Sequence, residues 1–190
     1  MFIRTERLFL RPAWPEDWHE LHTTIADERI VRNLARAPWP YTQDDARAFV
    51  AAAQDRRHPR FLITIPSASG ARIVGGIGLT HQDRQAELGY WLAPEAWGRG
   101  LATEAASAVL RLARTLGHSR IGAHHFLDNP ASGRVLEKVG FRRTGHVAER
   151  PSLARGCSFP SREYLLDFGF CNDSNDDALG DECHIGMRAA

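Results

Sequence analysis

The sequence predicts one α/β domain of the α+β kind, a mostly antiparallel sheet flanked by helices. Three observations predict it. Between Phe61 and Leu92, short apolar runs alternate with turn signals, the pattern of an antiparallel meander. The meander feeds a glycine turn, Trp97-Gly98-Arg99-Gly100, which opens an amphipathic helix with apolar positions at Leu101, Ala105, Ala108, Val109, Leu112 and Leu116. A chain of 190 residues, 43% hydrophobic and 25% charged, has the length and composition for one packed core and a tail.

Leu8-Phe9-Leu10-Arg11 reads as a first strand, stopped by Pro12. Pro15, followed by Glu16 and Asp17, starts a helix that runs to about Ile25, with acids in its first turn. Thr42 caps a second helix; Asp45 stands at the capping-box position, and Ala46, Phe49 and Val50 form the apolar stripe. Between the two helices lies Pro38-Trp39-Pro40-Tyr41, an aromatic loop too rich in proline for either element. Strands follow at 61–65, 73–79 and 86–92, with turns at 66–70 and 80–85. Gly117 is placed to end the long helix, and 121–127 is a strand. Pro130 opens a short helix to Val139, capped by Asn129 or Asp128; Gly140 closes it and Phe141 begins the next strand. Ser161 to Phe168 is the last strand. Residues 1–170 thus make up the domain. From Cys171 the composition turns to Asn, Asp, Ser and Gly, and 171–190 reads as a disordered tail.

The formal net charge is +1 and no basic block stands out, so no nucleic-acid partner is expected. Residues 1–7 contain no apolar core of a secretory signal, and no apolar run is long enough to span a membrane. Cys157, Cys171 and Cys183 are few, odd in number and without C-x-x-C spacing, which fits a reducing cytoplasm. Cys183-His184 has no partner ligands in sequence, so no metal is expected.

The stretch Trp97 to Glu104 is the one the rest of the chain is organised around. Glycines let main chain approach a ligand closely. A helix start offers unpaired N–H groups and a partial positive charge. A strand, a glycine turn and a helix start in that order make a seat for a pyrophosphate.

Four segments in this order carry a family resemblance: Glu87-Leu88-Gly89-Tyr90-Trp91-Leu92, Trp97 to Ala105, Asn129-Pro130-Ala131-Ser132, and Leu136-Glu137-Lys138-Val139-Gly140-Phe141. Together they resemble the acyl-CoA core of the GNAT N-acetyltransferases. With Thr5-Glu6-Arg7-Leu8-Phe9-Leu10-Arg11-Pro12, the match extends to the RimJ/RimL-like branch of ribosomal-protein N-terminal acetyltransferases, over roughly residues 3–168. The resemblance implies a sheet splayed between strands 86–92 and 121–127, with acetyl-CoA entering the gap. It implies that Gly98, Arg99, Gly100, Ala102 and Thr103 hold the pyrophosphate. The main chain of Trp91 and Leu92 would pair with the pantetheine arm, and Asn129 would anchor that arm from the other side. The superfamily's phosphate loop begins with Gln or Arg, whereas this chain has Trp97; the rest of the loop acts through main-chain N–H groups.

The implied reaction is acetyl transfer to a primary amine, either a protein N-terminus or a small molecule. Ser132 is the candidate proton donor to the leaving sulfur, as the resemblance implies, with Tyr164 as an alternative. Glu87 is the candidate base. Main-chain N–H groups near Trp91 and Leu92 are placed to polarise the thioester carbonyl. One of His124 and His125 faces the cleft, since neighbours on a strand point opposite ways. Tyr90 and Trp91 divide in the same way between core and cleft, and Arg134 and Lys138 read as a solvated helix face. The protein is expected to act as a monomer or homodimer. Two alternatives stay open: a non-catalytic acyl-CoA-binding module, and a dinucleotide-binding oxidoreductase, since Gly98 to Thr103 is one residue short of that fingerprint.

Overall fold

The computed structural model describes residues 1–68, 70–82 and 85–169. The strands are β1 (Ile3–Arg4), β2 (Phe9–Arg11), β3 (Arg60–Ser67), β4 (Gly70–Gln82), β5 (Gln85–Leu92), β6 (Arg120–Phe126), β7 (Arg142–Ser152) and β8 (Cys157–Asp167). The helices are α1 (Trp18–Ile25), α2 (Glu28–Val31), α3 (Gln43–Ala51), α4 (Leu101–Thr115) and α5 (Pro130–Lys138). All eight strands form one sheet in the order β1-β2-β3-β4-β5-β6-β8-β7.

Capping chemistry sets the helix ends. The Thr42 hydroxyl accepts from the Asp45 N–H at 3.2 Å, and the Asp45 carboxylate accepts from the Thr42 N–H at 2.8 Å. Pro15 starts a 3-10 turn, Pro15–Asp17, which passes into α1. Asp17 accepts a two-pronged ion pair from Arg11, and both side chains are buried. Gly117, with φ +82°, ends α4 by donating its N–H to Arg114 O at 3.0 Å.

Several expectations are corrected. β1, of two residues, and the one-turn α2, of four, had no periodic signal, because neither is long enough to repeat its own pattern. Residues 66–67 and 80–82 are strand, not turn. Pro66 is tolerated because β2 pairs with β3 only at Leu62, Ile63 and Thr64, so nothing on that side asks Pro66 for an N–H. The last strand begins at Cys157 rather than Ser161, since a hairpin carries β7 and β8 four residues further. The tail at 171–190, with Cys171, Cys183 and His184, lies outside the described residues.

Strand alternation sends side chains to two cores. Ala86, Leu88 and Leu92 of β5 pack with Val109 of α4 and Leu136 of α5 on one face. Leu62 and Ile73 pack with Leu21 and Val31 of α1 and α2 on the other, with Trp91 against them. Burying a Leu, Ile or Val side chain stabilises by about 1.5–3 kcal/mol, so both cores hold the sheet from its two faces. Small residues on the buried side of α4, Ala105, Ala106, Ala108 and Ala113, let the helix lie close. Glycines in β4 serve the opposite face: a Cβ at Gly76 would stand 2.6 Å from the Trp91 indole nitrogen.

Among the described residues, every ladder is antiparallel except one. β5 and β6 run parallel and, among the described residues, share only the pairs Ala86↔Ile121 and Glu87↔Gly122. Past that point β5 stays paired to β4 up to Leu92, while β6 follows β8 up to Phe126. The sheet therefore opens as a wedge between residues 88–92 and 123–126.

Candidate active site

The wedge exposes main chain on its β5 wall. The Ala93 N–H donates to Val74 O at 2.9 Å, and the Trp91 carbonyl is turned towards Gly75, so both face β4. By alternation, the N–H groups of Leu92 and Tyr90 turn into the gap. Helix α5 covers the β6 side.

At the mouth lies the glycine turn. Gly98 and Gly100 take φ of +70° and +76°, a conformation that side chains with a Cβ rarely adopt. A Cβ at Gly98 would meet nothing within 4 Å, so the outer side of the turn is clear for a ligand. The first bond inside α4 runs from the Glu104 N–H to Gly100 O at 3.1 Å, leaving the N–H groups of Leu101, Ala102 and Thr103 without intrahelical partners. The Trp97 indole N–H donates to Leu92 O at 2.8 Å and fixes the turn to the strand end.

The N-terminal segment braces this turn. Glu104 accepts from the Thr5 hydroxyl at 2.6 Å, the Arg7 N–H at 2.9 Å and the Arg7 guanidinium at 2.7 Å. Arg7 also donates to Arg99 O at 2.9 Å, and its guanidinium would lie 3.6 Å from a Cβ on Gly100. Partial burial pushes the Glu104 carboxyl up, but Thr5 and Arg7 outweigh it and hold it below the usual range. Arg7 thus adds a cation beside the helix start. Sequence reasoning missed that role: 97 residues separate Arg7 from Glu104.

Glu87 sits where the wedge begins, on the α1–α3 face of the sheet. His124 lies two residues beyond its register partner Gly122 and therefore shares that face. His124 Nδ1 is 2.9 Å from Glu87 Oε1, and an Arg150 N–H donates to Glu87 Oε2 at 3.2 Å. Burial pushes the Glu87 carboxyl up, and His124 and Arg150 together pull it down by more, so it stays ionised below its ordinary range. Of the two histidines, His124 joins this corner, whereas His125 turns to the α5 face.

Ser132 approaches from that α5 face. Its Oγ lies 2.7 Å from Tyr90 Oη, and Tyr90 Oη lies 3.0 Å from Ser132 O. Burial raises the Tyr90 hydroxyl to about 12, so it is protonated at neutral pH. This bridge spans the wedge from β5 to α5. In sequence, alternation left open which of Tyr90 and Trp91 faces the cleft, and no local signal tied Tyr90 to Ser132. The Asn129 side chain caps α5, accepting from the Ser132 N–H at 3.4 Å. Tyr164 is 1% exposed, with its hydroxyl 3.3 Å from both His125 Nε2 and Glu137 Oε1. It touches neither Ser132 nor Tyr90 by hydrogen bond.

Comparison with known proteins fits this geometry. Residues 7–142 match the family described as the acetyltransferase (GNAT) domain. The chain is 32% identical to the uncharacterized N-acetyltransferase YoaA of Bacillus subtilis, over 86% of this chain and 95% of that protein. Its fold superposes on the acetyltransferase (GNAT family) of Bacillus anthracis with a TM-score of 0.75 and 26% identity, covering 88% of this chain and 98% of that one. RimL, a ribosomal L7/L12 α-N-protein acetyltransferase solved with coenzyme A, shares the fold at a TM-score of 0.72 and 20% identity, covering 88% and 98%. Among the described residues, no helix is long and apolar enough to cross a membrane, and no group of three His, Cys, Asp or Glu is set to hold a metal ion.

Proposed function

The chain belongs to the GNAT acetyltransferase family, and from that premise we propose that it moves the acetyl group of acetyl-CoA onto the α-amine of a protein N-terminus. It is an N-acetyltransferase; the α-amine is the finer reading. Family membership and a sheet with a single parallel junction set aside the dinucleotide alternative, which needs repeated strand–helix–strand units.

The cofactor reading rests on fit. Acetyl-CoA supplies an activated acyl carbon and a sulfur that leaves as thiolate. The N–H groups of Leu101, Ala102 and Thr103, the open glycines 98 and 100, and the cations of Arg99 and Arg7 make an anion seat suited to the pyrophosphate. Trp91 and Leu92 form the strand wall along which the pantetheine lies, with Asn129 opposite. The Leu92 N–H faces the gap and serves as the donor that polarises the acyl oxygen. Ser132 Oγ–H delivers the proton to sulfur, with Tyr90 Oη behind it to support the oxygen as the proton leaves.

The single observation that carries the acceptor assignment is the charge balance at Glu87. Its carboxylate is matched by Arg150 and His124, so the corner offers no acidic surplus to draw in a polycation. An ionised carboxylate held below its usual range is a weak base. At pH 7 roughly a tenth of an α-amine is already neutral, against well under a thousandth of a lysine amine. Glu87 therefore suits an α-amine, accepting its proton directly or through water.

The assignment is tested with acetyl-CoA and three acceptors: a peptide with a free N-terminus, the same peptide N-blocked but carrying lysine, and spermidine. Acetylation of the free N-terminus alone supports the reading. Turnover confined to spermidine or to lysine overturns it.

A further inference from the structure

Beside α5, a cavity of about 280 Å³ is lined by His125, Gly133, Arg134, Arg143, Arg162 and Tyr164, among others. β6, α5, β7 and β8 supply the lining, with Leu127 just after β6, and none of it comes from β5, whose main chain forms the other wall of the wedge. We propose that this cavity binds a small tetrahedral oxyanion, a phosphate group free or esterified.

Charge is the first observation. Three arginines, from α5, β7 and β8, line one space. Arg143 is held by Glu137, with Nε 2.7 Å from Oε1. The guanidiniums of Arg134 and Arg162 make no ion pair or hydrogen bond among the described residues. A planar carboxylate is satisfied by one guanidinium fork, whereas three arriving from different elements suit an oxyanion with more acceptor positions. The volume lies just under the usual small-molecule range of about 300–1,000 Å³, which fits a phosphate with few further atoms.

The second observation is a count of protons on the cavity floor. Tyr164 and His125 are 1% and 8% exposed. His125 Nδ1 is 2.8 Å from the carbonyl of Phe126, so Nδ1 carries a proton. Its Nε2 lies 3.3 Å from Tyr164 Oη, which lies 3.3 Å from Glu137 Oε1. In neutral His125 that Nε2 is an acceptor, as is the carboxylate, and a single phenolic proton faces both. Protonated His125 resolves the chain: Nε2–H donates to Oη, and Oη–H donates to Oε1.

What opposes that proton is the surroundings. Burial first, then the charges of Arg162, Arg143 and His124, hold the imidazole below its usual range. Arg134 adds a further positive group, and among the described residues Glu137 is the carboxylate that faces it. With His125 neutral, three guanidiniums against the Glu137 carboxylate leave the cluster with two positive charges in excess among the described residues, and short of one proton. An oxyanion offsets the excess, and a proton from solvent then settles on His125 Nε2. Gly133 sits against this network so closely that a Cβ would lie 2.6 Å from His125 Nε2 and 2.9 Å from Tyr164 Oη. The same helix carries Asn129 and Ser132 into the wedge.

The test follows the His125 ring by long-range proton–nitrogen spectra of the full chain, across pH, with and without inorganic phosphate. Phosphate should raise the titration midpoint of His125. In the double variant Arg134→Gln/Arg162→Gln, the phosphate needed for half the shift should rise at least about tenfold. Neither guanidinium makes an ion pair or hydrogen bond among the described residues, so the variant is expected to fold, and the wild-type titration stands on its own if it does not. A His125 midpoint that phosphate leaves unmoved, or that moves at the same concentration in the variant, overturns the proposal. Reading this ring keeps phosphate bound at the glycine turn from counting. Glycerol 3-phosphate identifies the source: a response at lower concentration than free phosphate assigns a phosphate ester, and an equal response assigns phosphate itself.

Discussion

The turn at Trp97–Glu104 offers main chain, and the corner around Glu87 is made of side chains. The turn needs two left-handed glycines, a helix start and a brace from Arg7, all but the brace contained in eight consecutive residues. The corner needs Glu87 from β5, His124 from β6 and Arg150 from β7, drawn from 64 residues of chain and joined by the sheet. A main-chain site depends on backbone conformation and should tolerate side-chain change; by resemblance, Trp97 stands where the superfamily has Gln or Arg. A side-chain site depends on charge balance and pH. The two regions should therefore fail in different ways.

The largest effect is expected at the turn. Gly100→Val puts a β-branched residue at φ +76°, a conformation L side chains rarely adopt, so it should abolish acetyl-CoA binding, read as loss of the ligand-induced rise in Tm. Trp97→Ala removes the bond to Leu92 O and should lower the melting temperature while leaving a clear acetyl-CoA response. Equal loss in both variants would make the turn a side-chain site after all, and normal binding by Gly100→Val would remove the pyrophosphate from it.

Next comes the corner. A positioned acid or base contributes about 10²–10⁴ in rate. Glu87→Gln should therefore lower kcat by about 10² at pH 7 and recover in part at higher pH, where the amine loses its proton unaided. Ser132→Ala should lower kcat without that recovery, because its proton is delivered after attack. Wild-type kcat from Glu87→Gln across pH 6–9 would reduce the glutamate to a structural charge. Tyr90→Phe should cost less, a few-fold in kcat with little change in KM, matching one hydrogen bond of about 1 kcal/mol. A change confined to KM would instead assign Tyr90 to binding.

Smallest is the effect on stability. The Glu87 carboxyl is held below its ordinary value, so its contribution is present above about pH 4.3, the unfolded value, and is lost as pH falls through the folded one. Wild-type Tm should fall more steeply below about pH 5 than that of Glu87→Gln. Asp128 behaves alike: Arg155 chiefly, then Arg32, lower its carboxyl against partial burial. Its pairs with Arg155 and Arg32 tie the β7–β8 hairpin to the loop after α2, and exposed pairs are each worth about 1 kcal/mol or less, so Asp128→Asn should cost a few degrees at most. Parallel acid limbs in wild type and Glu87→Gln would mean the corner stores no pH-dependent stability.

By itself the sequence determined whatever is local. The capping box at Thr42, the glycine at 117, the turn at 97–100 and the strands 86–92 and 121–127 rest on residues within a few positions of one another, where propensity, capping and periodicity act. For the same reason the glycine turn stood out as the organising stretch and Ser132 as its companion on a second helix start. Tertiary structure alone decided which distant side chains meet. Tyr90 joins Ser132 across 42 residues, Arg150 reaches Glu87 across 63, and Arg7 reaches Glu104 across 97. Register and sheet order set those meetings: a shift of one residue in β6 would turn His124 away from Glu87 and put His125 in its place. The sheet's single parallel junction ends after two pairs, and no residue type marks that point in the chain. It arises because β5 follows β4 and β6 follows β8, each held by an antiparallel ladder longer than the one between them.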